Sequence, residues 1–364
     1  MVITHHAAQA YGPTGGVWPV TDPASSDWFR PFYTVNASVG LGLLFLLAGY
    51  MVPRSVDRKG SGRFLSDRWR RIGVPLLAFA VFVHLPLVYL FLSCPPLDEL
   101  FATLYDGGWQ GVYLHLWFLG HLLLYSTGYV IWRRLGDRDR RPARILSPPT
   151  HAAIIGFVIV LALVTWIVRW RYPIDEWVPV FFVLAAEPAN LPQYISLFAL
   201  GVISYRSDWF RRIPTRVGMV WLAVGVGAAT TIYGLEVLGR FNDVLATGGA
   251  SPRSLALSTL SALIGVGLSV GLVVLARESI RHPVPLLTLM AGASYAAYIL
   301  HLWIVSGLQA GLLGVDLPVF AKFGLVSLLG VALSFVVGHL SSRVPGVSVI
   351  LGTTPRPTAA RSQV

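Results

Sequence analysis

Nine runs of apolar residues divide the chain, and a short polar or basic stretch separates each from the next. They lie at 34–52, 73–93, 113–132, 150–170, 188–205, 217–239, 254–276, 284–308 and 318–341. About 20 consecutive apolar residues make a helix long enough to cross roughly 30 Å of hydrocarbon. Each run is therefore expected to be a transmembrane helix, the fifth being short and polar at its start (Pro188, Asn190, Pro192). The opening residues MVITHHAAQAYGP read as the last two turns of a further helix. The pattern predicts an all-α polytopic membrane fold with about nine full spans, the C-terminal part of a first one, and no soluble domain. Residues 1–350 form a single integral-membrane domain in this reading. The polar tail from 351 (LGTTPRPTAARSQV) is expected to be disordered, because it has too little apolar surface to bury. Neither a repeat of 20–50 residues nor an inverted repeat of the transporter kind is visible.

Composition agrees with lipid as the solvent. Of 364 residues, 55% are hydrophobic and 12% charged, with a mean hydropathy of +0.65; soluble domains carry roughly 25% charged residues. The net charge of +11 does not point to nucleic acid, because the cations sit in short loops and form no contiguous basic face. One cysteine, Cys94, excludes an internal disulfide and a cysteine metal cluster, and reads as a small apolar residue at a helix end. No Lys/Arg-led signal peptide opens the chain.

The placement of charge sets the expected topology. Loops 53–72, 133–149, 206–216, 277–283 and the tail from 342 hold 22 of the 28 basic residues and 6 of the 17 acids. The opposite side holds the remaining 6 basic residues and 11 acids, so the two sides stand near +16 and −5. Positive charge resists translocation, which makes the first side, and the C-terminus with it, cytoplasmic. Residues 12–33 are then extracytoplasmic, and His5 and His6 lie in the outer half of the first helix.

Ionisable residues at membrane depth are costly and mark candidate chemistry. His5 and His6 end the first helix, and His84 lies midway along the second run. His115 and His121 sit in the outer half of 113–132 and His301 in the outer half of 284–308, so most of these imidazoles share one depth. Several histidines at one depth suggest a polar cavity, whereas a lone one is usually a packing residue. Metal binding is disfavoured, because no HxxH or HExxH pair appears with carboxylate support. In GRFLSDRWRRIGVP, Arg68 and Arg71 are three apart, on one face where a helix begins, with Arg70 and Arg63 close by. Such a pair is either the ordinary positive-inside signal or a bidentate clamp for phosphates. Trp109, Trp132, Trp166, Trp170 and Trp221 read as interfacial belts, and Trp117, beside His115, as a partial exception. Glu187 is read as an acceptor-binding carboxylate or an exposed loop residue.

Together these segments resemble the multispan membrane acyltransferases (acyltransferase family 3) that O-acylate polysaccharides and glucans, nearest to their glucan succinyltransferase-like branch. HHAAQAY is similar to the end of that family's first helix, with a histidine five residues before a tyrosine. LFLLAGYMV resembles its FFxxSGY helix with Ala48 in place of serine, and DRWRRIGVP its R-x-x-R element. HLWFLGHLLLY, LPQYISLFALGVISYR and SYAAYILHLW resemble later signatures, so the match runs in order along nearly the whole chain.

The resemblance implies transfer of an acyl group from a cytoplasmic acyl-CoA, as co-substrate, to a hydroxyl of an extracytoplasmic carbohydrate or glycolipid. The setting it implies is a bacterial-type inner membrane, with the lipid bilayer as the other partner and no metal or prosthetic group. The catalytic histidine maps to His6, five before Tyr11, with His5 as the alternative; the donor-binding pair maps to Arg68 and Arg71, with Arg70 adjoining. His301, His115, Tyr298, Trp117 and Glu187 are then expected to bind the acceptor or orient the base. The family also carries an arginine eleven residues before its histidine. Counting back from His6 passes Met1, so most of the first helix reads as missing, through an internal start or an impaired copy. Two other readings use the same residues: a proton-coupled transporter of a small anion or lipid-linked intermediate, and a catalytically degenerate scaffold.

Overall fold

The computed structural model describes residues 1–13, 18–86, 89, 95–103, 112–136, 145–180, 184–282, 284–344 and 346–351. Cys94, Trp109 and the tail from 352 lie outside these residues. Helix α1 is short (Val2–Ala8), and α2 (Phe29–Lys59) is the longest. Then come α3 (Ser61–Arg68), α4 (Val74–Phe79), α5 (Leu97–Thr103), α6 (Trp117–Leu135) and α7 (His151–Arg169). The chain closes with α8 (Leu191–Arg206), α9 (Thr215–Val237), α10 (Pro252–Ser279), α11 (Pro285–Gly311) and α12 (Val319–Ser341), apart from a few single turns. The described strands are two three-residue segments, β1 (Val178–Val180) and β2 (Leu184–Ala186), paired antiparallel with Val178 opposite Ala186.

Among the described residues, seven helices are long and apolar enough to cross a membrane: α2, the segment Leu114–Leu135 that contains α6, α7, α9, α10, α11 and α12. The fold is thus all-α and polytopic, and two expected spans differ from the pattern. The run at 188–205 yields a 16-residue helix behind a 3₁₀ turn at Pro188–Asn190. At 1.5 Å per residue it is about 24 Å long, less than the hydrocarbon thickness; the prolines favour helix starts and so shorten it. The run at 73–93 is described to residue 86 and at 89, and it is not a plain α-helix. Wide π turns at Trp69–Gly73 and Ala80–His84 bracket α4. Trp221, expected at the interface, is instead buried in the core against Ala262 and Val266, while Trp132 and Trp170 stay half exposed.

Helices α2 and α8, α9 and α10, and α11 and α12 pack as long pairs, with α10 also lying along α7 and α2. Small residues set the closest approach, since dispersion replaces the hydrophobic effect between helices in lipid. At the α2–α8 crossing a Cβ on Gly49 would lie 2.1 Å from the Phe198 carbonyl oxygen, and one on Gly201 2.1 Å from that of Leu46. Neither position accepts a side chain. Helix α1 lies in the groove between α11 and α12 and also touches α2, so it is carried by the bundle rather than by its own length, which is below what an isolated helix needs.

Candidate active site

Three of the last carbonyls of α1 are tied to neighbouring helices. Tyr33 on α2 donates its hydroxyl to the Ala8 carbonyl at 2.7 Å, and Gln309 on α11 donates its amide to those of His6 and Ala7 at 3.0 and 3.1 Å. Ala7, Ala8 and Tyr11 are fully buried. With the backbone held, the two histidines diverge. His5 packs against Phe32 and Tyr33. His6 donates Nδ1–H to Gln9 Oε1 at 2.5 Å and lies parallel to the Trp18 indole, with ring centres 5.0 Å apart and 7° between planes.

From His6 a file of imidazoles crosses the bundle. His6 and His301 have ring centres 5.1 Å apart, His301 and His115 4.8 Å, and His115 and His84 5.9 Å. The last three are buried. Each donates one ring N–H to a backbone carbonyl: His301 Nδ1 to Tyr298 at 2.6 Å, His115 Nε2 to Ile299 at 3.1 Å, and His84 Nδ1 to Val112 at 2.8 Å. The other nitrogen of each ring has no hydrogen-bond partner among the described residues, and a neutral imidazole nitrogen without a proton is an acceptor. Tyr298 donates its hydroxyl to the His115 carbonyl. His115 sits in a 3₁₀ turn entered through Leu114, whose φ of 42° is a strained, left-handed conformation for a branched side chain; such strain persists where its surroundings over-determine it.

A cavity of about 550 Å³ opens beside this file. His5, His6, His115, Trp117, Tyr298 and Glu187, six of the residues singled out by sequence, line it. His301 stands behind, in contact with His6 and His115. Gln9, beside His6, and Arg169, Asp175, Asn190 and Tyr194 add a polar lining that the sequence reading did not name as part of the site. Glu187 is buried rather than exposed. Its Oε1 accepts the Asp175 backbone N–H at 3.1 Å and its Oε2 accepts the Asn190 amide at 2.6 Å. Burial raises its carboxyl above the ordinary carboxylate range, and the two donors and the nearby Arg169 oppose that rise. Arg169, 2% exposed, donates to Ser258 Oγ at 3.1 Å. An arginine inside the apolar run 150–170 is a signal legible in the sequence, since an ionisable residue at membrane depth is costly.

The arginine cluster is elsewhere. Arg68 closes α3 with its guanidinium over the Phe64 ring, 5.3 Å from the centroid, while the Arg70 and Arg71 side chains are exposed. The π turn at Trp69–Gly73 starts between Arg68 and Arg71, so the pair does not keep the one-face spacing of an α-helix. Tyr295 on α11 donates its hydroxyl to the Arg71 carbonyl at 2.6 Å. Six residues on, the same helix carries His301, about 9 Å further along the axis. Helix α11 therefore joins the arginine cluster to the imidazole file. His121 bonds instead to Tyr125 and the Ala185 carbonyl, away from His115. Among the described residues no three His, Cys, Asp or Glu side chains converge as a metal site.

A family model described as an acyltransferase domain matches residues 1–339. No curated protein matches, and no solved structure does.

Proposed function

The chain belongs to acyltransferase family 3, and on that premise we propose that it moves an acyl group of the acetyl or succinyl type from a cytoplasmic acyl-CoA to a hydroxyl of an extracytoplasmic glycan or glycolipid. Within the family we place it in the glucan succinyltransferase-like branch, on the resemblance of its motifs. In this reading the protein sits in a bacterial-type inner membrane with its C-terminus in the cytoplasm. His6 is the general base, and His5, on the same cavity wall, is the alternative.

The single observation that carries the reading is the oriented imidazole on the wall of a polar cavity. With Nδ1–H committed to Gln9, the lone pair of His6 is on Nε2. That nitrogen takes the proton of the acceptor hydroxyl as its oxygen attacks the thioester carbonyl. When the tetrahedral adduct collapses, the C–S bond breaks, the ester forms, and His6 returns the proton to the departing thiolate. A positioned base of this kind contributes about 10²–10⁴-fold. His301 and His115 offer acceptor nitrogens, and Tyr298, Trp117 and Glu187 supply the aromatic and carboxylate surface that binds hydroxyl-rich ligands. Arg68 and Arg71, with Arg70 beside them, hold the donor phosphates, since guanidinium pairs with phosphate bidentately.

The test is transfer of labelled acetyl or succinyl from the CoA thioester to a glucan by purified protein. His6→Ala is expected to lower kcat by about 10²-fold or more. Undiminished transfer by the double variant His5→Ala/His6→Ala overturns the assignment.

A further inference from the structure

Gln309 is a fully buried amide on an apolar helix, a costly placement unless every polar atom is used. Here it is. Its Nε2 donates to the His6 and Ala7 carbonyls, and its Oε1 accepts the Trp18 indole N–H at 2.7 Å. One amide thus fixes both the backbone of His6 and the ring stacked on His6. The segment carrying Trp18 is anchored again four residues later. Asp22 and Lys322 form a buried ion pair at 2.7 Å, with 2% and 4% side-chain exposure, and the Asp22 N–H donates to the Ala10 carbonyl at 2.9 Å. Two long-range ties therefore hold one indole face against one imidazole.

The partner of His6 Nδ1 is also unusual for a base. The well-known serine-protease arrangement places a carboxylate there, which selects the tautomer and balances the imidazolium as it forms. In this chain an amide oxygen, Gln9 Oε1, selects the tautomer but carries no net charge. The groups around His6 supply no carboxylate bond either. They are His5 on its own helix, Arg30 and Tyr33 from α2, His301 from α11, His115 from the turn before α6, and the mutually neutralised pair of Lys322 from α12 and Asp22 from the segment between α1 and α2. What remains to meet a developing positive charge is the π face of Trp18, the aromatic that attracts cations best.

We infer that Trp18, held by Gln309, and Gln9 are positioning residues that together replace the carboxylate of a catalytic triad: the amide sets the tautomer of His6 and the indole face stabilises its imidazolium. The inference rests on His6 being the base.

The experiment is the pH profile of kcat/KM for labelled acyl transfer by the full chain in detergent or vesicles, with unfolding monitored in parallel. His6 works when neutral, so activity falls on the acid side as it takes up a proton, and anything that stabilises the imidazolium moves that limb to higher pH. Trp18→Leu removes the π face and is expected to move the acid limb down by about 0.5–1 pH unit, with kcat about tenfold lower and donor KM within about twofold. Trp18→Phe keeps a weaker face without the N–H donor and is expected to fall between Trp18→Leu and wild type; it also serves if the leucine variant misfolds. Gln9→Glu puts a carboxylate on Nδ1 and is expected to move the limb up by about one unit. Acid limbs that coincide in all three variants overturn the inference even where kcat drops, because mere misplacement of the ring has no such sign. If His6→Ala is as active as wild type, the base assignment itself has failed, and that result is separate from the three profiles.

Discussion

The stretch at residues 59–73 and the cavity around His6 are both polar sites at the ends of apolar helices, yet they are assembled in opposite ways. The first is local. Lys59 pairs with Asp67 eight residues on, Arg68 lies over Phe64, and Arg70 and Arg71 project outward. The second is gathered from the whole chain, with Trp18 bonded across 291 residues and His115 across 184. Exposed charges in water lose and regain partners at little cost, about 0–1 kcal/mol per pair. Buried polar groups do not, because each unmade bond carries its full desolvation cost. The arginine site should therefore bind in graded increments, and the cavity should fail as a unit.

The largest effect that contrast forecasts is at Lys322. Lys322→Met leaves the Asp22 carboxylate buried without its partner, and removing one member of such a pair costs about 3–5 kcal/mol. The expected outcome is a sharply lowered thermal midpoint in detergent, together with reduced transfer as the Trp18 segment loosens. Replacing both members, Asp22→Leu with Lys322→Met, should restore much of the stability while transfer stays low. If Lys322→Met melts with wild type, the cavity is not the cooperative unit described here.

The same contrast decides what could be read in advance. The apolar runs forecast the long helices, because bilayer thickness acts on contiguous residues. His6, His115, Trp117 and Glu187 could be named because each stands out against its own local surroundings, and Tyr298 through the resemblance of SYAAYILHLW to a family signature. Trp18 and Gln309 could not: their meaning lies in bonds to each other and to His6, and no local pattern encodes a partner some 300 residues away. Lys322 and Arg169 were within reach, each a cation inside an apolar run. The π turn that separates Arg68 from Arg71 was out of reach, since it changes the backbone by one extra residue per turn without a mark in the hydropathy.

A middle-sized effect tests the arginine site. Arg68→Ala and Arg71→Ala should each raise the KM for the CoA donor by about tenfold, the scale of one charge-assisted contact, with kcat little changed. The double variant should raise KM beyond either single one. A double variant that loses kcat in place of KM would show that the arginines act on the cavity through α11 and Tyr295 and not on the donor.

The smallest effect belongs to Glu187, in the loop before α8. Burial is the leading influence on its carboxyl and raises it above the ordinary range, against the Asp175 and Asn190 donors. A carboxyl raised in the folded state stabilises the fold at pH values below its unfolded pKa, and that contribution is lost as pH climbs through the raised value. Glu187→Gln is neutral at every pH and keeps an oxygen for one of the two donors. The variant should therefore melt close to wild type near pH 4 and slightly above it near pH 8. A variant that melts below wild type at pH 8 reverses the sign. In that case the charge of Glu187, close to Arg169 in the cavity lining, outweighs its burial, and that lining is an ionic anchor and not a neutral surface for hydroxyls.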